Sequence, residues 1–494
     1  MARTRHDIVI IGGGAAGLTA AAGCAQLGMK TALIEKDRMG GDCLYHGCVP
    51  SKTLLKTAGI YAEAGRFPDY GLPEIPRLPE AKAQEVFGRV KRVIETIAPH
   101  DSPERFRELG VEVILDQGRF VSEGELELGS GDRLTARNFV VASGSSPAVP
   151  PIPGLEEAGY VTNREIFSLE AFPKSLIILG AGPIGVEMAQ AFARLGSRVS
   201  LVDRAGHVLP REDEDMAGHV ERSLERDGVE LHLSAQIEGV EKSGAGKRVH
   251  LAAAAAETED SSSGKPRTSS LESAEILVAL GRRGNTAELG LEAAGVELKG
   301  SFIAVDKKLR SSNRRIRAAG DVNGQYLFTH VAGAEGSFLV KALALHLPGS
   351  MDYSHVPWCT YSDPELASIG YNEMRAREAG IEYKTIVTSF SEVDRAHAEG
   401  FEEGVIKTLL DKKERIIGVQ IAAGHAGELL LPSILAVQNR WKLSSLMKPM
   451  YPYPTMGEIH KRAAGNFLSP KLFNPRVRRI VRVLFGYRGL GDGG

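Results

Sequence analysis

One pattern occurs twice in this chain, and the repeat restricts the fold more than any other feature. Asp7 to Ile11 is a short β-branched run suited to a buried parallel strand. Gly12-Gly13-Gly14-Ala15-Ala16-Gly17 follows it, then a helical stretch from Ala15 to Leu27 and a second strand from Lys30 to Ile34, closing on Glu35. The same order returns later: a strand from Ser175 to Leu179, Gly180-Ala181-Gly182-Pro183-Ile184-Gly185, a helix from Val186 to Leu195, and a strand from Arg198 to Val202, ending at Asp203. Each copy is a strand, a G-x-G-x-x-G turn, a helix and a strand with an acid at its tip. The spacing predicts two parallel α/β domains of the doubly wound type.

The glycine positions have separate physical tasks. Gly12 makes the tight turn, Gly14 lets a pyrophosphate approach the backbone, and Gly17 permits close helix–strand contact. The first helical residues, Ala15 and Ala16, offer unpaired N–H groups and the positive end of the helix dipole to phosphates. Glu35, with Lys36 beside it, is placed to accept hydrogen bonds from a ribose. Gly180, Gly182, Pro183, Ile184 and Gly185 repeat the cradle. Asp203 suits a free 2′-hydroxyl and so favours NADH, whereas Arg204 next to it suits the 2′-phosphate of NADPH. Two dinucleotide sites in one chain point to electron passage between one resident and one exchanging cofactor.

Between the copies stands Gly40-Gly41-Asp42-Cys43-Leu44-Tyr45-His46-Gly47-Cys48-Val49-Pro50-Ser51-Lys52. A bare C-x4-C is weak evidence, since two loop thiols often sit close. Here the pair is delivered directly after the second strand, beside the first dinucleotide site, which makes it a candidate redox-active dithiol. Lys52 falls early in a helix expected to run to Ala64.

Bulk properties narrow the class. The 494 residues suffice for about three domains. A net charge of −2 argues against a nucleic-acid or other polyanionic partner for the body as a whole. Four cysteines in so long a chain are no disulfide framework, so the expected compartment is the cytoplasm. Cys24, Cys43, Cys48 and Cys359 lack zinc-ligand spacing, and no metal site is assigned. Gly12 to Gly14 interrupt the N-terminal apolar run, which reads as a strand entering a turn and not as a signal peptide. No uninterrupted apolar run reaches the ~18 residues of a membrane span.

The remaining stretches fill in the organisation. Ala142-Ser143-Gly144-Ser145-Ser146-Pro147 ends a block of strands, and Pro150 to Gly154 reads as a linker. Residues 252–270, rich in Ala, Glu and Ser, are expected to be a flexible surface loop. Gly281-Arg282-Arg283-Gly284-Asn285 returns the chain to the first domain, and a strand from Ile316 to Ala319 ends in Gly320-Asp321, an acid placed for a cofactor hydroxyl. A helix should begin beside it, from Phe328 to Gly336. After Pro348 the pattern becomes α+β, with a strand expected from Val356 to Ile369 and a helix from Gly427 to Asn439. Near the C-terminus Arg476, Arg478, Arg479 and Arg482 alternate with Val477, Ile480, Val481 and Leu484 at helical spacing. This basic amphipathic helix is expected to pack on its own chain; a membrane-surface or protein contact through residues 466–494 is the alternative.

With these motifs in register, residues 6 to about 465 resemble the pyridine nucleotide–disulfide oxidoreductases, the class I flavoprotein disulfide reductases. Gly12 to Gly17, Glu35, Gly41 to Lys52, Ala142 to Pro147, Gly180 to Gly185, Gly320-Asp321 and Asp363-Pro364-Glu365 carry the resemblance. Within the family the chain is most similar to mercuric-reductase-like flavoproteins, then to dihydrolipoamide dehydrogenases. The resemblance implies a homodimer with an FAD domain (residues 1–153 and 282–347), an NAD(P)H domain (154–281) and an α+β dimerisation domain (348–465), followed by the basic tail. FAD would occupy the first fingerprint, with Gly41, Asp42, Lys52, Ser143, Gly144, Gly320 and Asp321. NADH or NADPH would occupy the second, with Gly281. Cys48 would be the thiolate touching the flavin, Cys43 the thiol meeting the acceptor, and Lys52 would pair with Glu187.

Two departures bear on the acceptor. Lipoamide and glutathione reductases of the family carry His-Pro-Thr near the C-terminus, a base supplied by the other subunit and oriented by a glutamate. Here the aligned residues are Tyr453-Pro454-Thr455, with Glu458 in the glutamate position. A phenol of pKa about 10 is a poor proton acceptor at neutral pH. Mercuric reductases share such a tyrosine but also carry a C-terminal cysteine pair, and no cysteine follows Cys359 here. Their N-terminal metal-binding domain has no counterpart either, so efficient mercury detoxification is not expected. The expectation is electron flow from NAD(P)H through FAD and the Cys43–Cys48 disulfide to a metal ion or small acceptor. Dihydrolipoamide dehydrogenase is the alternative, and a redox sensor or membrane-associated protein a further one.

Overall fold

The computed structural model describes residues 3–76, 79–244, 246–253 and 268–487. The chain divides into two compact units, Met1–Val208 with Leu224–Tyr353, and Leu209–Ser223 with Ser354–Gly494.

The first unit holds two α/β sheets, the first mixed, with an antiparallel edge, and the second parallel. In the first sheet, β1 (Arg3–Ile11) lies between β2 (Thr31–Glu35) and the strand Arg133–Val141, and Val111–Leu115 flanks β2. All of these pairs are parallel. Ile8, Ile10 and Leu33 bury on the face covered by α1 (Ala15–Gln26). Val9, Ile11, Ala32 and Ile34 bury on the opposite face with Phe120 and Phe139. Burial on both faces is why these strands read as unbroken apolar runs.

Register is what assembles the site. Ile11 pairs with Ile34 on one side and with Val141 on the other, and Val141 also pairs with Ala318. Four strand tips therefore end at one edge. The turns that leave them carry Gly12, Glu35, Ser143 and Gly320-Asp321, brought together from distant parts of the chain.

The second sheet has the order Glu230–His232, Arg198–Val202, Ser175–Leu179, Glu275–Val278, all parallel. A three-stranded antiparallel sheet, Ala235–Ser243, Gly246–Ala253 and Thr268–Ser273, accompanies it. Part of the expected 252–270 loop is thus strand: Ala252 pairs with both Gln236 and Thr268. Alternation explains this, because Val249 and Leu251 point inward and are buried. Residues 254–267 of that stretch lie outside the described residues.

The second unit is a five-stranded antiparallel sheet in the order Trp358–Thr360, Glu365–Gly370, Ile416–Ala423, Val405–Leu410, Lys384–Ser389. Helices Leu431–Gln438 and Glu458–Leu472 contribute Ala436, Val437, Ala463 and Ala464 to its core. Two expectations are corrected here. The stretch Val356 to Ile369 is two strands, separated by a turn that contains Pro364, a residue with no N–H to give a ladder. The stretch Gly427 to Asn439 is two helices, Ala426–Leu429 and Leu431–Gln438, with Pro432 in the first turn of the second, where its missing N–H costs nothing.

Candidate active site

The dithiol sits on helical backbone. A short helix, α2 (Gly41–Tyr45), carries Cys43, and α3 (Cys48–Ala64) begins at Cys48. Both thiols are free in this structure. Cys48 Sγ lies 3.5 Å from Thr329 Oγ1, in the first turn of the helix Thr329–Leu343. The Cys48 thiol is held down at a pKa of about 6, first by the hydrogen bond from Cys43, then by that from Thr329 and by the charge of Lys52, against the opposing pull of burial. Cys43 moves the opposite way: the proton it donates to Cys48, and its burial, push its pKa well above the ordinary thiol range. The two sulfurs share one proton and titrate as a pair. The start of a long helix adds a favourable dipole to the Cys48 thiolate.

Lys52 follows Cys48 by one helical turn, so both side chains leave the same face of α3. Its Nζ donates to both carboxylate oxygens of Glu187, at 2.9 and 2.8 Å. Glu187 is buried on the helix Pro183–Arg194, the helix of the second fingerprint. One ion pair therefore ties the dithiol helix to the second dinucleotide fold.

The two glycine cradles have the same build. Gly12 has φ 110°, and a Cβ there would lie 2.3 Å from the carbonyl oxygen of Ala142. A Cβ on Gly17 would lie 1.9 Å from Gly12 O, and one on Gly185 would lie 1.8 Å from Gly180 O. A Cβ on Gly14 or on Gly182 would meet nothing within 4 Å, so both positions face open space beside a helix N-terminus. Glu35 Oε2 accepts from Gly13 N at 2.7 Å and its Oε1 from Asp37 N at 2.8 Å. Asp203 repeats this, with Oδ2 accepting from Ala181 N at 2.6 Å and Oδ1 from Ala205 N at 2.8 Å. Each acid is thus fixed at its strand tip with lone pairs to spare for hydroxyls. Ala15, Ala16, Pro183 and Ile184 form the first turns of the two helices. Lys36 turns instead to the surface and pairs with Glu288 at 2.9 Å. Arg204 is exposed beside Asp203.

A polar network closes the edge of the first cradle. Ser145 Oγ donates to Asp321 Oδ2 at 2.5 Å. Arg282 donates from Nε to Ser145 Oγ at 2.7 Å and from Nη2 to Asp42 Oδ2 at 2.8 Å. Burial raises the Asp321 carboxyl above the usual range, against the pull of Ser145 and Arg282. Gly320 N donates to buried Glu335 at 2.5 Å, and Asn323 and Tyr353 donate to the same carboxylate. Ser143 and Asn285 bond each other twice, at 2.8 and 2.9 Å, beside Gly144 and close after Gly281. Asp42 Oδ1 is buried and has no hydrogen-bond partner among the described residues. Open glycine positions, fixed hydroxyl acceptors and this orphaned oxygen fit a bound dinucleotide with a polar chain reaching Asp42.

The second unit holds the remaining two candidates. Tyr453 is 70% exposed and donates to Asp394 Oδ2 at 2.9 Å. That hydrogen bond holds the phenol above its ordinary pKa. The sequence places Glu458 to orient residue 453, yet Asp394 is the carboxylate that receives the hydroxyl. Glu458 opens the helix Glu458–Leu472, where an acid suits the dipole.

Family comparison agrees with this geometry. Residues 6–336 match the pyridine nucleotide-disulphide oxidoreductase family, and residues 356–464 match the dimerisation domain of the same family. The chain belongs to the pyridine nucleotide-disulphide oxidoreductases. A mercuric reductase of Lysinibacillus sphaericus is 33% identical over 464 residues, covering 94% of this chain and 82% of the relative. A dihydrolipoyl dehydrogenase of Rhizobium etli is 31% identical over 482 residues, covering 93% and 97%. Among solved structures, the Cu(II) complex of the HOCl-induced flavoprotein disulfide reductase RclA from Escherichia coli superposes with a TM-score of 0.82 at 26% identity, covering 94% of this chain and 99% of that one. LpdA from Mycobacterium tuberculosis gives 0.82 at 29% identity, with the same coverage. The chain is an oxidoreductase of the flavoprotein disulfide type, a family that uses FAD and a pyridine nucleotide, and it carries that family's dimerisation domain.

Sequence reading missed three residues of this pyridine nucleotide-disulphide oxidoreductase site: Arg282, Thr329 and Glu335. Arg282 had a signal, because it follows Gly281 at the return to the first sheet. Thr329 and Glu335 lie on a helix that was expected, but their partners are set by how that helix meets α3 and Gly320.

Proposed function

We propose that this chain is an NAD(P)H-driven reductase whose Cys43–Cys48 pair hands electrons to a metal ion or a small oxidant. The observation that carries the choice of acceptor is the hydrogen bond from Tyr453 to Asp394. A phenol whose O–H donates a hydrogen bond to a carboxylate, and whose pKa is raised by it, keeps its proton and is no base. Dithiol–disulfide exchange with a bulky disulfide needs a base to manage the second thiol proton. In metal-ion reduction the metal itself displaces that proton as it binds, since it coordinates the deprotonated sulfur.

Gly12, Gly14, Gly17, Glu35, Asp42, Ser143, Gly144, Gly320 and Asp321 would hold FAD, with Gly41 and Lys52 at its reactive end. Gly180, Gly182, Gly185, Asp203 and Gly281 would hold the nicotinamide cofactor. Bound FAD would supply two-electron relay chemistry between NAD(P)H and the Cys43–Cys48 disulfide. Two electrons and one proton convert the disulfide to the Cys43 thiol and the Cys48 thiolate. Lys52, held by Glu187, keeps positive charge near that thiolate, and Thr329 donates a hydrogen bond to it. Handing the pair to an acceptor reforms the S–S bond and releases the proton. Asp203 favours NADH, because a carboxylate at this strand tip would repel a 2′-phosphate. A second copy joined through residues 348–465 would bring its own Tyr453 segment toward the dithiol. The cytoplasm is the compartment in which such a pair is kept cycling.

The names of the relatives support both readings of the acceptor, since mercuric reductases and dihydrolipoyl dehydrogenases match about equally well. The deciding experiment is NADH consumption by the FAD-loaded protein with Hg(II), Cu(II), lipoamide, glutathione disulfide or quinones. Turnover with a metal ion or quinone well above lipoamide is expected. Robust oxidation of dihydrolipoamide by NAD would overturn the proposal in favour of the dehydrogenase.

A further inference from the structure

The helix Pro475–Phe485 has no buried side chain among the described residues. It carries four arginines and no acid, in a chain whose net charge is −2. Its positive charge is therefore local and segregated. At 100° per residue, Val477, Ile480, Val481 and Leu484 form one stripe and Arg476, Arg478, Arg479 and Arg482 the other. The apolar stripe is not spent on a core. Ile480 is 56% exposed and Leu484 70%; Phe485 at the edge of the stripe is 64% exposed, whereas Val483, 77% exposed, lies on the arginine side. Phe485 stacks on Tyr487 at 5.8 Å, so the helix ends in an aromatic pair with a polar tip. Just upstream, Leu472 and Phe473 are 56% and 64% exposed.

Val477 and Val481 are half-buried, and the rest of the stripe is exposed apolar surface of the kind that marks a docking site. The charge selects its occupant. A second copy meeting this stripe across a two-fold axis would bring two sets of four arginines together, which like-charge repulsion opposes. An anionic lipid surface satisfies both stripes at once: acyl chains take the apolar side, and phosphate head groups meet the arginines. Phe485 and Tyr487 suit the depth where apolar ring and polar tip each find their medium. We propose that Pro475–Phe485 is an in-plane anchor that holds this reductase on an anionic lipid surface. The proposal rests on the tail alone and is independent of which acceptor the dithiol serves.

The test uses the full-length, FAD-loaded protein with vesicles of phosphatidylcholine, with or without phosphatidylglycerol. Wild type is expected to sediment with the anionic vesicles, to stay in the supernatant with the neutral ones, and to be released by salt. Replacing both Arg478 and Arg479 by Ala should lower partitioning about thirty-fold, at the usual strength of a basic residue near an anionic surface. Leu484→Glu should abolish it. Flavin absorbance and the sedimentation velocity of each variant report folding and oligomeric state. Three results would overturn the proposal: wild type left in the supernatant, equal recovery with both vesicle types, or a change in oligomeric mass on Leu484→Glu, which would make the stripe a subunit contact.

Discussion

Arg282 donates to Asp42 at 2.8 Å across 240 positions of sequence. The contact ties the residue before Cys43 to the strand that returns the chain to the first sheet. Arg282 also holds Ser145, and through it Asp321, so a single guanidinium links the dithiol turn to the strand tips of the cofactor cradle. Planar, multiply donating geometry explains why arginine fills this position.

Arg282→Met leaves Asp42 partly buried without its cation. Breaking a buried pair from one side costs about 3–5 kcal/mol. Asp42 is 29% exposed, so a loss at the lower end of that range, about 3 kcal/mol, is expected in urea unfolding of the FAD-loaded protein. The double variant with Asp42→Asn should lose less than the sum of the two single variants. Additive losses would show that the two residues act separately.

The Cys48 thiol has a folded pKa of about 6, below its ordinary value of about 8.5. A lowered acid pKa favours the folded, reduced state above the ordinary value, and that advantage fades as pH falls through about 6. Iodoacetamide alkylation of the reduced protein should therefore rise with pH around a midpoint near 6. Cys43→Ala should move the midpoint up the most, since the Cys43 hydrogen bond is the largest cause, and Thr329→Val should move it less. An unchanged midpoint in Cys43→Ala would remove the shared-proton account.

Cys48→Ser in the NADH-reduced protein should abolish the long-wavelength absorbance of a thiolate lying against the flavin, while Cys43→Ser should keep it. The reverse pattern would exchange the roles of the two cysteines.

Asp203 is held by Ala181 N and Ala205 N, leaving lone pairs for a ribose. Asp203→Ala should raise KM for NADH about ten-fold, the loss of one charge-assisted hydrogen bond, and should leave kcat within about two-fold. KM for NADPH should fall. A lower KM for NADPH than for NADH in the wild type would reverse the preference.

Tyr453→His replaces a phenol bonded to Asp394 with a group that titrates near neutrality. Turnover with dihydrolipoamide and NAD should rise about a hundred-fold, the lower end of the usual range of a positioned base. Reduction of Cu(II) by NADH should change little. A parallel fall in both would show that Tyr453 acts on the metal-ion path itself.

Much of the site was legible because its signals are local. Gly12, Gly14 and Gly17 declare a turn, an open approach and a close contact within six residues, and Gly180 to Gly185 repeat the message. Cys43, Cys48 and Lys52 lie within ten residues, so their common face follows from helical spacing. Glu35 and Asp203 could be placed because a strand tip after the glycine turn has one geometry. Lys36 pairs with Glu288 at the surface, because adjacency to Glu35 does not say which way a long side chain turns.

The sequence by itself determined two dinucleotide folds, a dithiol between them and a basic amphipathic tail. Backbone preference and apolar periodicity act over a few residues, and those features need nothing longer. Only the tertiary structure decided what surrounds the dithiol. Thr329 beside Cys48, Arg282 on Asp42, Glu335 under Gly320 and Asp394 receiving Tyr453 are contacts between segments far apart in the chain. They depend on which strand tips share an edge, and strand pairing is set by the packing of both faces of the sheet at once. The Cys48 thiolate is therefore a property of the fold, although both cysteines can be read directly from the chain.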